Sequence, residues 1–212
     1  ARALPLLTDT DRVQIGAGQK DQQGPMVALG AGTGLGVGAL LQCEHQQPVV
    51  VTGEGGHVDF APVTDVEAAV LQYLRSRYGR VSIERLCCGH GIVNIYQALA
   101  DYRQKEARFT TAADIGAAAQ SETDPLAREA MAMFFAVLGA SAGNFALTFG
   151  ALGGVYIAGG VVPRYVDLLR LSDFRARFLA KGRFADYLSA IPTYIITHQA
   201  TGLLGAALTL HD

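Results

Sequence analysis

Five glycines, from Gly30 to Gly38, occupy every second position of the stretch LGAGTGLGVGALL. Strand interiors rarely tolerate so many glycines unless a backbone or a ligand approaches closely. The apolar residues on either side predict two strands joined by a tight turn, with Thr33 at its tip. Because glycine adopts positive φ and lets backbone N–H groups approach an anion, we interpret this turn as a phosphate cradle; a purely structural hairpin is the alternative.

The same stretch also satisfies a dinucleotide-binding pattern. Gly34, Gly36 and Ala39 match G-x-G-x-x-A, and Glu54 follows Gly34 by twenty residues. That pattern would require VGALLQCEHQQ to form a crossover helix, although the segment has little capping and no clear apolar stripe. A dinucleotide-binding domain is therefore the less favoured alternative, and a P-loop is excluded because no G-K-[ST] follows.

The order of predicted elements indicates the fold class. Apolar and β-branched runs predict strands at residues 26–29, 35–41, 49–52, 155–158 and 193–197. Helices are predicted from a capping box at Thr64 and Glu67 to near Gly79, through the alanine-rich region 91–150 with Pro125 opening a long helix, from Pro163 through Tyr187, and from Gly202.

This order predicts an α/β fold: a three-strand meander joined to parallel crossovers in one mixed sheet. It fits a ribonuclease-H-like lobe, the half-unit of actin-like ATPases. We expect a single lobe over residues 1–212, with a helical block inserted at about 64–150. The opening ARALPLL has helical composition without a cap before it, which suggests that the chain begins inside a helix.

The composition and charge of the chain limit the classes of binding partner. A formal net charge of -2 with 17% charged residues leaves no basic stripe for nucleic acid. We expect a cytoplasmic protein without membrane contact, because no apolar run approaches ~20 residues and the N-terminus lacks a signal-peptide pattern. Cys43, Cys87 and Cys88 form no C-x-x-C pair, so buried or idle thiols are expected rather than a metal site.

A carboxylate and an imidazole stand among glycines in GEGGHVDF. A zinc site is not indicated, because the flanking glycines disfavour a helix and no second histidine is near. Glu54 can accept hydrogen bonds and His57 can donate or accept them, which suits the hydroxyls of a sugar. An ordinary polar surface loop is the alternative, and Asp59 is expected to act as a cap or as a third contact.

A second glycine turn lies in VYIAGGVVPR, between a predicted strand and a helix near Pro163. A helix N-terminus there offers free N–H groups and a positive dipole end to a nucleotide. A simple strand-to-helix turn would need the same glycines, so this turn alone is a weak signal.

Taken in order, GAGTGLGVG, GEGGHVDFAP, GRVSIERLCCGHGIVNIYQAL, GGVYIAGGVVPR and GLLGAA resemble the C-terminal lobe of bacterial ATP-dependent glucokinases. These enzymes belong to the hexokinase and actin-like superfamily, and the resemblance covers essentially the whole chain. The cysteine-rich zinc motif of the related repressor and sugar kinases is missing, so the resemblance is to the zinc-free branch.

The resemblance implies a function and a set of site residues. It implies phosphoryl transfer from ATP, with Mg²⁺, to the 6-hydroxyl of glucose. Glu54 and His57 match residues that contact glucose, and Glu84, in VSIER, matches a further sugar-binding glutamate. The family's ATP contacts match Gly32, Thr33, Gly34, Gly159 and Gly160.

Other family motifs are not found in this chain. The family has an N-terminal lobe with a D-x-G-G-T phosphate loop and an Asn-Asp pair whose Asp is the general base. We expect that Asp just before residue 1, no catalytic residue within the chain, and an inactive lobe on its own. A homodimer is expected from the resemblance, and a non-catalytic sugar- or nucleotide-binding lobe is the alternative function.

Overall fold

A mixed sheet lies at the centre of the computed structural model, which describes residues 1–43, 47–198 and 200–208. Its strand order is β1-β6-β5-β2-β3-β4. The strands are β1 Arg12–Ile15, β2 Met26–Ala31, β3 Leu35–Leu41, β4 Val49–Gly53, β5 Val155–Ala158 and β6 Thr193–Ile196.

The helices cluster between β4 and β5 and after β5. They are α1 Asp65–Tyr78, α2 Gly89–Tyr102, α3 Ala112–Gln120, α4 Pro125–Phe149, α5 Val166–Arg170, α6 Phe174–Leu179, α7 Ala185–Ser189 and α8 Thr201–Ala207. Single 3₁₀ turns form at Leu4–Leu6, Gly55–His57, Ile83–Arg85, Val162–Tyr165 and Gly182–Phe184.

The sheet confirms the predicted meander and crossovers. Strands β2, β3 and β4 pair antiparallel, whereas β5 pairs parallel with both β2 and β6. Strand β1 was not predicted; it pairs antiparallel with β6 at the edge of the sheet. Its sequence, RVQI, offers only two apolar residues, and so short an edge strand is specified by its partner more than by its own pattern.

Helix α4 contributes more buried residues to the main core than any other described helix or strand. The Asp124 side chain accepts the Ala127 N–H at 2.9 Å, Pro125 opens the helix, and Gly150 ends it with φ +58. Among the described helices, α4 alone is long and apolar enough to cross a membrane, but 78% of its most apolar window is buried inside the protein. The expectation that no apolar run approaches that length was therefore wrong; the run is a core helix.

The N-terminal residues differ from the expected helix. They form one 3₁₀ turn, Leu4–Leu6, and Leu4 and Leu7 are buried against Met26 and Tyr156. Proline at position 5 fits the start of such a turn. The segment covers a second, smaller apolar cluster, separate from the main core around α4.

Candidate functional site

The two glycine-rich turns leave the same edge of the sheet. Strands β2 and β5 are parallel neighbours with Gly30 opposite Ala158, so the turns that follow them lie side by side. Gly159 has φ +101, and a Cβ there would overlap the carbonyl oxygen of Ala31. Glycine is required at 159 by both the backbone conformation and this close approach.

The first turn is held against the start of α2. Gly32 donates its N–H to the Gly34 carbonyl at 2.9 Å and accepts the Gly89 N–H at 2.8 Å. Helix α2 begins at Gly89, two residues earlier than predicted, because Cys88 Sγ caps it by accepting the Gly91 N–H at 3.3 Å. The positive end of a helix dipole therefore lies beside the Gly32–Gly34 turn.

A cavity of about 850 Å³ opens beside the second turn. Pockets of this size hold nucleotide-sized ligands. Gly159 and Gly160 line it, and the residues that follow β6 supply the opposite wall; the further lining residues include Pro163, Arg164, Thr197, His198, Thr201 and Gly202. The Gly32–Gly34 turn is not part of its lining, although Ala31, directly before it, contacts Gly159.

Among the residues that line this cavity, only Gly159 and Gly160 were predicted as site residues from the sequence. Thr197 and His198 follow the carboxyl end of β6, the parallel neighbour of β5. The residues after neighbouring parallel strands meet at one edge of a sheet, where ligands commonly bind. The predicted strand at 193–197 was therefore the signal in the sequence for Thr197 and His198.

The segment that contains Glu54 and His57, which we call the acid and histidine turn, forms a 3₁₀ turn, Gly55–His57, packed on β3. The flanking glycines disfavour a longer helix, yet this one 3₁₀ turn forms. A Cβ on Gly56 would overlap the Leu35 carbonyl oxygen, and one on Gly55 would lie 2.8 Å from Val37 Cβ. The glycines therefore let this turn pack directly onto the strand.

A short antiparallel contact brings Glu84 to this turn. Phe60 donates its N–H to the Val81 carbonyl at 3.1 Å, and Ile83 donates to the Val58 carbonyl at 2.9 Å. The turn Ile83–Arg85 consequently lies next to Gly55–His57. His57 Nε2 is 3.9 Å from Glu84 Oε1, so two of the three residues predicted to bind sugar meet.

The three predicted sugar ligands differ in their surroundings. Glu84 Oε2 accepts the Leu35 N–H at 2.8 Å, and its side chain is 29% exposed. The His57 side chain is 57% exposed. Glu54 precedes the 3₁₀ turn, and its exposed carboxylate makes no hydrogen bond or ion pair to any residue that the structure describes. Carboxylate and imidazole groups are thus available to an incoming polar ligand.

Arg80 fixes the far side of the same loop. Its Nη2 donates to the His57 carbonyl at 2.6 Å and pairs with Asp59 Oδ1 at 2.7 Å. Asp59, which was expected to be a cap or a third ligand contact, pairs with Arg80. The backbone of His57 is therefore anchored while its side chain remains open to solvent.

The dinucleotide-binding alternative is wrong. It required a crossover helix directly after the glycine turn, but Leu35–Leu41 is a strand paired with β2 and β4. Residues 44–46 of the proposed helix lie outside the described residues.

Comparisons with known proteins agree with this architecture. The family model described as Glucokinase matches residues 1–212. A glucokinase of Colwellia psychrerythraea is 44% identical over 217 residues, which cover 100% of this chain and 66% of that protein. The crystal structure of a glucokinase from an Antarctic psychrotroph superposes with a TM-score of 0.93 at 36% identity, covering 100% of this chain and 65% of that one.

A more distant structure, a glucokinase of Balamuthia mandrillaris in complex with glucose, has a TM-score of 0.75 at 25% identity and covers 90% of this chain and 54% of that one. The chain spans about two thirds of the length of the curated relatives that it matches. The similar structures confirm the predicted α/β fold of an actin-like ATPase lobe. On the family model and the identities together, the chain belongs to the glucokinase family.

Proposed function

We propose that this protein transfers the γ-phosphoryl group of ATP to the 6-hydroxyl of glucose, and that this chain holds both substrates. The contact between Glu84 and the Gly32–Gly34 turn carries the proposal, because a carboxylate suited to a sugar hydroxyl adjoins a turn whose N–H groups suit an anion. A sugar kinase needs these two subsites to adjoin, since phosphoryl transfer depends mainly on positioning and charge neutralisation. The related glucokinase of Balamuthia mandrillaris was solved with glucose.

Glu54, His57 and Glu84 are the proposed sugar ligands. The carboxylates accept hydrogen bonds from hydroxyls, and the imidazole donates or accepts one. The 3.9 Å spacing of His57 Nε2 and Glu84 Oε1 lets neighbouring hydroxyls of one ring engage both groups. Glu84 is held by Leu35 and faces His57, an arrangement suited to orienting a hydroxyl. We propose that the proton acceptor for the attacking hydroxyl is a carboxylate other than these three residues.

The two glycine turns support the proposed nucleotide subsite. The backbone N–H groups of Thr33 and Gly34 and the Thr33 hydroxyl are proposed to contact the phosphates, beside Gly32 and the start of α2. Gly159 and Gly160 are proposed to contact the adenosine, which would occupy the adjoining cavity.

Mg²⁺ is proposed to bind with the nucleotide. Within the described ranges no three His, Cys, Asp or Glu side chains cluster to hold a metal ion. Mg²⁺ in kinases keeps several waters and is bound mainly through substrate phosphates with one or two carboxylates. The ion would neutralise charge on the transferred phosphoryl group.

Titration calorimetry and a coupled assay test the proposed function. The purified protein should bind glucose, and should bind a non-hydrolysable ATP analogue with Mg²⁺; formation of glucose 6-phosphate is followed separately. Binding of only one of the two ligands would favour the alternative, a non-catalytic sugar- or nucleotide-binding lobe. A folded protein that binds neither ligand at millimolar concentration would refute the proposed substrates.

A homodimeric state and a cytoplasmic location are proposed on family membership alone. Sedimentation velocity distinguishes a dimer from the 22.4 kDa monomer.

A further inference from the structure

We propose that Glu84 couples the sugar subsite to the phosphate-binding turn, so that the residue that holds glucose also sets the affinity for ATP. The inference rests on the proposed function and adds a positioning role for Glu84. It predicts that the two substrates bind cooperatively within this chain, through one carboxylate.

The two oxygens of Glu84 face different subsites. Oε2 accepts the backbone N–H of Leu35, the residue that follows the Gly32–Gly34 turn, at 2.8 Å. Oε1 faces His57 Nε2 at 3.9 Å. A Cβ placed on Gly34 would lie 2.5 Å from Oε2, so the carboxylate already rests against the glycine turn. A hydroxyl that fixes the Glu84 side chain therefore also fixes the end of this turn.

The segment that carries Glu84 holds the turn at a second point. Gly89 donates its N–H to the Gly32 carbonyl at 2.8 Å, shortly after the turn Ile83–Arg85 along the chain. Between them, Leu86 is fully buried, and the Arg85 carbonyl accepts a hydrogen bond from Asn94 at 2.9 Å. Segment 84–89 is thus anchored in the core and is hydrogen-bonded to both ends of the phosphate-binding turn, at Gly32 and at Leu35.

The coupling must be reciprocal. If glucose raises the affinity for ATP by some factor, ATP raises the affinity for glucose by the same factor. The physical source of the coupling is the ordering of the turn. Sugar hydroxyls hold the Glu84 carboxylate in the position that accepts the Leu35 N–H. Because the turn is then already ordered, phosphate binding loses less conformational entropy. We expect a factor of roughly five or more, the lower end of typical coupling.

Nucleotide affinity measured without sugar separates a coupling residue from a plain sugar ligand. Glu84→Ala should weaken binding of the non-hydrolysable ATP analogue with Mg²⁺ by roughly fivefold, because the Leu35 N–H loses its acceptor. Glu84→Gln should restore most of this affinity, since an amide oxygen still accepts that N–H. His57→Ala is the matched control; His57 contacts Glu84 but not the turn, so its loss should leave nucleotide affinity unchanged.

The converse experiment changes the glycine turn and measures the effect on glucose binding. Gly34→Ala should weaken glucose binding about tenfold without nucleotide present, because the new methyl group displaces the flexible end of Glu84. Gly36→Ala is its control: a Cβ at 36 would meet no described atom within 4 Å, and glucose affinity should not change. Circular dichroism confirms that each variant is folded.

The outcomes distinguish the two proposals. If the unmodified protein binds both ligands but Glu84→Ala and His57→Ala leave nucleotide affinity equally intact, the coupling is refuted and the proposed function stands. If glucose and the ATP analogue bind with no mutual effect, the coupling is refuted as well. If the folded protein binds neither ligand, the proposed function fails and the coupling falls with it.

Discussion

Leu35 donates its backbone N–H to Glu84 Oε2 over 2.8 Å, so the first residue of β3 is bonded to a side chain 49 positions later. Hydrogen bonds to charged groups contribute roughly 1.5–3 kcal/mol when they are partly shielded from water. The start of a strand and the carboxylate that we propose binds sugar are therefore fixed by the same interaction. Changes at either residue should affect both the start of the strand and the site.

His57→Ala should weaken the binding of glucose more than the binding of ATP. Loss of one hydrogen-bond partner in a polar site costs roughly 1–3 kcal/mol, which corresponds to about 5- to 150-fold in affinity. Calorimetric titration with glucose measures this loss. Unchanged glucose binding would show that His57 is only a loop residue, anchored through its carbonyl by Arg80.

Gly56→Ala should disturb the acid and histidine turn. Its Cβ would overlap the Leu35 carbonyl oxygen, and backbone atoms of a strand cannot yield easily. Overpacking of this kind costs about 1–3 kcal/mol of unfolding free energy, and we expect weaker glucose binding in addition. Gly53→Ala is the control, since no described atom lies within 4 Å of its Cβ position. Urea denaturation compares the two; equal midpoints would contradict the close packing of this turn.

Arg177→Ala should destabilise the protein strongly. Arg177 pairs with Glu67 at 2.6 Å, and the two side chains are only 16% and 3% exposed. Removing one partner leaves a buried charge, at a cost of roughly 3–5 kcal/mol.

The exposed pair of Arg128 and Glu122 provides a matched comparison for that variant. Its atoms are 3.5 Å apart, with the side chains 55% and 69% exposed. Arg128→Ala should change the unfolding free energy by less than about 1 kcal/mol. Similar losses in both variants, measured by urea denaturation, would show that burial does not decide the outcome.

Alkaline pH should destabilise the protein through its buried thiols. Burial raises the pKa values of Cys87 and Cys88. Below about pH 8.5, the ordinary pKa of a thiol, both states keep the proton and the thiols add no pH dependence. Above it, the unfolded chain releases protons that the native state retains, so the unfolding free energy falls as pH rises.

The variant Cys87→Ser isolates this effect from other groups that titrate at alkaline pH. Between pH 8 and 10, its unfolding free energy should fall less steeply than that of the unmodified protein. Native Cys87 and Cys88 should also resist alkylation at neutral pH, because the thiolate is the reactive form. Parallel pH profiles, or rapid labelling of Cys87 in the native state, would contradict the assignment.

The sequence predicted most of the sheet because its strands are marked by their own residues. Runs such as VVVTG have strong β-propensity, and the glycine turn and the Thr64 cap mark boundaries directly. Strand β1 was missed because its pairing with β6 decides its conformation. The N-terminal turn was mistaken for a helix because composition does not reveal how far an element extends.

The candidate site was predicted only in part, for a similar reason. Glu54 and His57 stand out as polar residues among glycines, whereas Glu84 looks like an ordinary helix charge and was identified through the family resemblance alone. Its contacts with Leu35 and Gly34 depend on the pairing of segments 58–60 and 81–83, which no local pattern reveals. The cavity residues Thr197 and His198 likewise depend on which strands are neighbours.

The pairing of segments 58–60 and 81–83 also makes α1 part of a loop whose two ends are joined next to the site. The chain leaves at Phe60, forms the helix, and returns at Val81, where a backbone hydrogen bond joins the two ends. A Cβ at Gly79 would meet no described atom within 4 Å. Insertions near Gly79 would therefore lengthen the loop between Phe60 and Val81 while its two ends stay hydrogen-bonded. Doubling such a loop costs only about 0.6 kcal/mol. This part of the fold can therefore diverge in length or accept a grafted segment while the spacing of His57 and Glu84 is preserved.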